Sequence, residues 1–156
     1  MKQEGHIVKS YDEEIRDIKN NIVDMGSLVE NQLKDSLQCL KDKDTEFAEK
    51  IIENDNVIDK AYNTLDQSLV EILGKRQPMA ADLRTIFSAI KINKDLERIG
   101  DHASNIAGRI LHVKKAPENY LTDSIYQLGQ LVLKNFSKAL SSYDQESQKI
   151  AQIVPA

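Results

Sequence analysis

The sequence predicts an all-α protein, a bundle of long antiparallel helices. Six glycines and three prolines in 156 residues leave long stretches without a breaker. Within those stretches apolar residues recur at three and four positions rather than in alternation. The hydrophobic complement is aliphatic, with 5% aromatics and no Trp, as in bundle cores made of Leu, Ile, Val and Ala.

A first helix is expected from near Tyr11 to about Lys41, with Ile15, Ile18, Ile22, Met25, Val29, Leu33, Leu37 and Leu40 along one face. After the polar KDKD break, Asp44 can accept from the first free amides of a second helix. Its core face is Phe47, Ile51, Ile58, Tyr62, Leu65, Leu69 and Ile72, and it is expected to end near Gly74, with Lys75 and Arg76 just beyond. Pro78 suits the first turn of a third helix over roughly 79–114, because its missing amide hydrogen would be unpaired there in any case. The short links at 42–44 and 75–78 force neighbouring helices to run antiparallel, which gives a three-helix bundle over residues 1–114.

Beyond Pro117 a fourth helix, about 119–142, carries Leu121, Ile125, Leu128, Val132, Leu133, Phe136 and Leu140. An offset of 100 superposes Leu28 on Leu128, Leu33 on Leu133, Leu40 on Leu140, and Asp44 on Asp144 as helix caps. Residues 117–156 are therefore expected to begin a second, incomplete copy of the bundle. An apolar helix without its bundle mates needs cover, so homo-oligomerisation is expected.

The bulk numbers exclude several classes. A net charge of −4 and a pI near 5.4 argue against nucleic acid as the main partner. The lone Cys39 cannot form an internal disulfide and is expected as a small core residue. No segment reaches the ~18 consecutive apolar residues of a membrane span, and the first residues lack an apolar signal run, which reads as a cytoplasmic protein.

The chemistry-bearing residues are acids. Asp55-Asn-Val-Ile-Asp59 and Glu97-Arg-Ile-Gly-Asp101 each set two carboxylates four apart on one helical face. The midpoints, Val57 and Ile99, both lie 21 residues from Pro78. At ~1.5 Å per residue both are about 32 Å from the hairpin end, so all four acids share one level. That is an oxygen-ligand arrangement able to hold a hard cation. A helical wheel places Ile92, Leu96, Ile99, Ala103, Ile106 and Ile110 inward, with Glu97 and Asp101 nearly opposite and Asp55 and Asp59 on the flank of their own stripe. This weighs against a di-iron enzyme with core carboxylates and Glu-x-x-His pairs. Acids four apart are also ordinary on solvated faces, and Lys60, Lys94 and Arg98 are near enough for surface pairs. No nucleophile–base set, phosphate-cradling glycine loop or zinc pattern is present, so catalysis has no support in the sequence.

The segment RQPMAADLR (Arg76 to Arg84) followed by KINKDLERIGDHASNIA (Lys91 to Ala107) resembles the signature of PhoU proteins. So do HIVKSYDEEI at the start, Met25-Gly26-Ser27-Leu28-Val29-Glu30, and IIENDNVID. The resemblance implies two tandem three-helix bundles, each with a pair of E/D-x-x-x-D motifs, so that this chain reads as truncated at its C-terminus. It implies a non-enzymatic regulator that contacts the ATPase subunit of the phosphate ABC transporter and a sensor histidine kinase, damping phosphate uptake and the starvation response. It also implies a metal ion, iron or another cation, on Asp55, Asp59, Glu97 and Asp101, with Arg84, Arg98, His102 and Asn105 of the signature as partner-contact positions. Two other readings stay open: a metal-dependent helical enzyme or metal-storage protein, and a helical interaction module with ordinary solvated acids.

Overall fold

The computed structural model describes residues 2–112 and 119–154. The expected boundary at 114 and Pro117 lie outside them. The elements in chain order are α1 (Lys2–Asp42), α2 (Thr45–Arg76), α3 (Ala80–His112), α4 (Asn119–Asp144) and a short α5 (Gln148–Ala151).

Helix α1 starts earlier than its apolar spacing predicts. Its first residues hold no proline, and a polar stretch can extend a helix already anchored by the seam that follows. Helix α2 begins as the sequence predicts: Asp44 is the N-cap, and its Oδ1 accepts from the Phe47 amide at 2.9 Å. It does not stop at Gly74 but continues to Arg76, and Gln77, in the left-handed region at φ 47°, caps it. The breaker is Pro78, whose ring bars the preceding residue from right-handed helical geometry. Pro78 is thus not in the first turn of α3; it ends α2, and α3 begins at Ala80.

The three long helices close on one core. Ile18, Ile22, Met25 and Val29 of α1 meet Ile58, Leu65, Leu69 and Ile72 of α2 and Ile86, Ala89 and Leu96 of α3. At about 1.5–3 kcal/mol for each large aliphatic side chain taken from water, this cluster is the main source of stability. Cys39 sits in a smaller cluster with Ala48, Ile51 and Ala107, buried as expected, and its Sγ donates to the Asp44 carbonyl at 2.9 Å.

Helix α4 is not left without a neighbour in its own chain. It lies on α1 through Tyr126 and Leu133, against Leu33 and Leu37. The closest approaches are reciprocal: Gly26 of α1 faces Leu140 of α4, and Gly129 of α4 faces Leu37 of α1. Each leucine occupies the space a Cβ would need, so glycine is what lets the two helices meet. A neighbouring face of α4, with Leu121, Ile125, Leu128 and Val132, is exposed.

These glycines also bear on the register expected for a repeat, since they share an interval other than 100. Gly129 follows Gly26 by 103 positions, and Leu140 follows Leu37 by the same interval. Lys43 and Glu146, both with positive φ, share it. So do the N-caps Asp44 and Ser147, which accept from the amides of Phe47 and Ile150. These matching features are spaced by 103 rather than 100, and Asp144 is the last residue of α4, not a cap. At this register the exposed Leu121, Ile125, Leu128 and Val132 correspond to Ile18, Ile22, Met25 and Val29, the face with which α1 holds α2 and α3.

Candidate metal centre between the second and third helices

The acids come together at the level the hairpin geometry predicts. Carboxylate oxygens of Asp59, Glu97 and Asp101 all lie within 4.8 Å of one another. Asp59 is exposed and Glu97 half-buried, so the cluster opens to solvent along the α2–α3 groove.

Glu97 and Asp101 do not point away from the core as the wheel predicts. The buried line of α3 runs through Ile86, Ala89, Asn93, Leu96, Gly100, Ala103 and Ala107, whereas Ile92, Ile99, Ile106 and Ile110 are only half-buried. Centred on Asn93, Gly100 and Ala107, the inward face turns toward Glu97, which therefore leans into the groove. Gly100 sets the width of that groove. A Cβ there would lie 3.1 Å from Ile58 Cδ1, 3.2 Å from its Cγ2 and 3.8 Å from Asp55 Oδ1. The bare backbone lets α2 approach closely enough for Asp59 to reach the acids of α3.

Asp55 stands one turn deeper and is not among the three clustered oxygens. Its Oδ1 accepts from Gln32 Nε2 at 2.7 Å, and the same amide donates to the Gly100 carbonyl at 3.2 Å. Gln32, buried on α1, thereby ties all three helices together under the cluster. Burial pushes the Asp55 carboxyl above its ordinary range; Gln32 and Ser104 pull it back as donors, while the charges of Asp101 and Asp59 raise it. Glu97 is also raised, first by burial and then by Asp101 and Asp59, with Lys94 acting in the opposite direction. Two acids are thus held against their preferred ionisation, and a cation held by Asp59, Glu97 and Asp101 would relieve the repulsion on Glu97.

The donor set suits a hard cation. Oxygen ligands at 2.0–2.6 Å from one ion lie at most about 4–5 Å apart, and these three carboxylates fall within that limit. All three are oxygen donors, the chemistry of Mg, Ca and Mn sites. His102 lies on the exposed side of α3 and does not join the cluster. Arg84, Arg98 and Asn105 are likewise exposed on the outer side of α3. Gln32, Gly100 and Ser104 were missed from the sequence; of these, only Gly100, standing between two acids of one motif, left a signal there.

Among the described residues no helix is long and apolar enough to cross a membrane. Fold and site together define a helical-bundle protein with a cluster of surface carboxylates at the junction of two helices. Residues 22–110 match the PhoU domain, and this chain belongs to the PhoU family. It is 36% identical over 146 residues to a phosphate-specific transport system accessory protein PhoU homolog of Xylella fastidiosa, covering 94% of this chain and 61% of that protein. The homolog of Rhizobium meliloti is 33% identical, with 96% of this chain and 64% of that protein covered. This chain thus spans less than two thirds of the length of these relatives. Its structure is similar to the crystal structure of PhoU from Pseudomonas aeruginosa, with TM-score 0.84 and 34% identity over 91% of this chain and 68% of that one. PhoU from Streptococcus pneumoniae follows with TM-score 0.82 and 27% identity, covering 92% and 68%.

Proposed function

We propose that this chain is a non-enzymatic regulator of phosphate uptake, acting by contact with the ATPase subunit of a phosphate ABC transporter and with a sensor histidine kinase. In this reading it works in the cytoplasm and carries a cation on Asp59, Glu97 and Asp101, with Asp55 supporting them from below. The observation that carries the reading is the convergence of three carboxylates from two helices in a PhoU domain. The names of the relatives, accessory proteins of phosphate-specific transport, supply its setting. A bound ion would supply charge neutralisation and open coordination positions for a carboxylate or phosphate of a partner.

The division into a first bundle, 1–114, and the start of a second copy, 117–156, belongs to the same reading. It is supported by the paired caps and glycines at the 103-position interval. Self-association belongs to it too, since the α4 face of Leu121, Ile125, Leu128 and Val132 is exposed. Sedimentation of a well-folded monomer would remove that element.

The test is capture of the purified transporter ATPase subunit by this chain. Binding that survives washing at physiological salt is the expected result. No binding, alongside capture by a full-length relative, would sink the contact reading for this chain.

A further inference from the structure

The carboxamide of Gln32 has an end that the carboxylate cluster does not use. Gln32 is 7% exposed, and its Nε2 is engaged by two acceptors, Asp55 Oδ1 at 2.7 Å and the Gly100 carbonyl at 3.2 Å. Two acceptors at one end fix that end as the nitrogen, so the oxygen lies at the other. Among the described residues Oε1 has no hydrogen-bond donor, yet it is not sealed from solvent. Gln32 also lines a recess of about 260 Å³ between α1 and α2, with Leu28, Asn31 and Asp35 on one side and Asn54 and Val57 on the other. Gln32 and Asp35 are three apart and share one face of α1. Asn31, Asp35 and Asn54 make no side-chain hydrogen bond or ion pair with any described residue. Leu28 and Val57 are aliphatic and exposed, at 38% and 49%.

We propose that this recess receives one cationic side chain, a lysine or arginine of a protein partner, whose head group meets Asp35 and Gln32 Oε1 while its stem lies on Leu28 and Val57. The proposal rests on the reading of the chain as a contact regulator and names the chemistry of one contact. A carboxylate and an amide oxygen on one face are two acceptors, and a charged head group with several N–H donors satisfies both. An anion is turned away by the same pair, and an apolar side chain leaves both unmatched. Long basic side chains lay their methylenes on apolar surface and keep the head among polar groups, which is how this recess is laid out. Its volume falls below the roughly 300–1,000 Å³ of small-molecule pockets, so a single side chain suits it better than a larger ligand. The surrounding surface does not make the choice. Lys34, Lys50 and Lys60 and the acids Asp24 and Glu53 stand three or four residues from lining positions and largely offset one another. None of these lysines forms an ion pair with Asp35. Selection is made at contact distance by Asp35, the one charged lining residue. The occupant touches the carboxamide that holds Asp55, which links this contact to the carboxylate cluster.

The test titrates the whole isotope-labelled chain, with a chelator present, with a capped Gly-Arg-Gly tripeptide and follows the side-chain amide signals by NMR. Its counterpart carries citrulline, the neutral isostere of arginine. The arginine peptide should shift the signals of Asn31, Gln32 and Asn54 saturably, with a Kd on the order of millimolar, and the citrulline peptide should not. D35N should weaken binding at least about fivefold with helicity by circular dichroism unchanged, whereas D24N, which removes a charge from the rim alone, should leave it intact. Equal shifts with the two peptides, no shifts, or no loss in D35N would overturn the proposal. So would a loss in E97Q/D101N that D35N does not share, which would place the peptide on the carboxylate cluster. Spermidine displacing the peptide at a lower concentration would assign the recess to a free polyamine and overturn the protein contact. Peptide binding at these residues without capture of the transporter ATPase would spare the recess and sink the contact reading instead.

Discussion

Replacing Glu97 by Gln in cation-free buffer is predicted to stabilise the protein, although it removes a charge from a well-formed helix. Glu97 has two carboxylate neighbours, Asp59 and Asp101, with oxygens within 4.8 Å. Two unit charges at that separation repel by about 0.9 kcal/mol in water, and screening over a Debye length of about 8 Å reduces this to roughly 0.5 kcal/mol. Two such neighbours make the expected gain about 1 kcal/mol at neutral pH, or some 2–4 °C in midpoint for a chain of this size. The pH dependence fixes the cause. Burial and the neighbouring acids raise the folded-state pKa of Glu97, so the native protein takes up its proton more readily than the unfolded chain. Wild-type stability therefore rises as pH falls through the window from the raised folded value toward the ordinary glutamate value. The advantage of E97Q should shrink across the same window. Urea unfolding with a chelator present, followed by circular dichroism from pH 7.5 to pH 4, reads both effects. An E97Q chain no more stable than wild type at pH 7.5, or an advantage that persists at pH 4, would refute the electrostatic account of the cluster.

Other perturbations test the scaffold. Gly100→Ala gains about 1 kcal/mol of helix propensity but drives a methyl into Ile58, which is 2% exposed and cannot retreat. Overpacking at about 1–3 kcal/mol should win, so thermal melting should show a lower midpoint, and a stabilised variant would show the α2–α3 contact to be soft. Gln32→Leu deprives Asp55 and the Gly100 carbonyl of their donor and should cost about 1–3 kcal/mol in chemical unfolding. Asp44→Ala removes the cap of α2 and should cost about 1 kcal/mol by the same measurement. Glu14 is held below its ordinary range by the Arg76 guanidinium, so its contribution is present above the ordinary glutamate pKa and lost as pH falls through the lowered value. An E14Q chain should accordingly lack that segment of the acid-unfolding curve.

What was legible in the sequence was local or followed from simple geometry. The Asp44 cap depends on residues three apart, and the shared level of the acids depends only on equal distances from one turn. The end of α2 was misread because Gly74, a glycine near the last apolar residues of the helix, resembles a terminator, although open space surrounds the place a Cβ would take and Pro78 does the terminating from the next link. The face of α3 was misread because hydrophobicity favours Ile92, Ile99 and Ile106, whereas the buried line holds Asn93, Gly100 and Ala107, chosen for close approach and hydrogen bonding rather than for apolar area. Asn93 earns its interior place by donating to the Tyr62 carbonyl at 3.1 Å. Gln32 could not be found at all, since its partners stand 23 and 68 residues away and only the folded bundle brings them together. The repeat register slipped by three because the matching caps, Asp44 and Ser147, share an oxygen and a role but not a residue type.

The central claim, that the carboxylates of α2 and α3 hold a cation, is tested most directly by equilibrium dialysis against manganese(II) with elemental analysis, using wild type and the double variant E97Q/D101N. The account predicts one ion retained per wild-type chain and at least a tenfold weaker affinity in the variant, on the scale of a lost ligand pair. Equal retention by both chains, or none by the wild type, would contradict it.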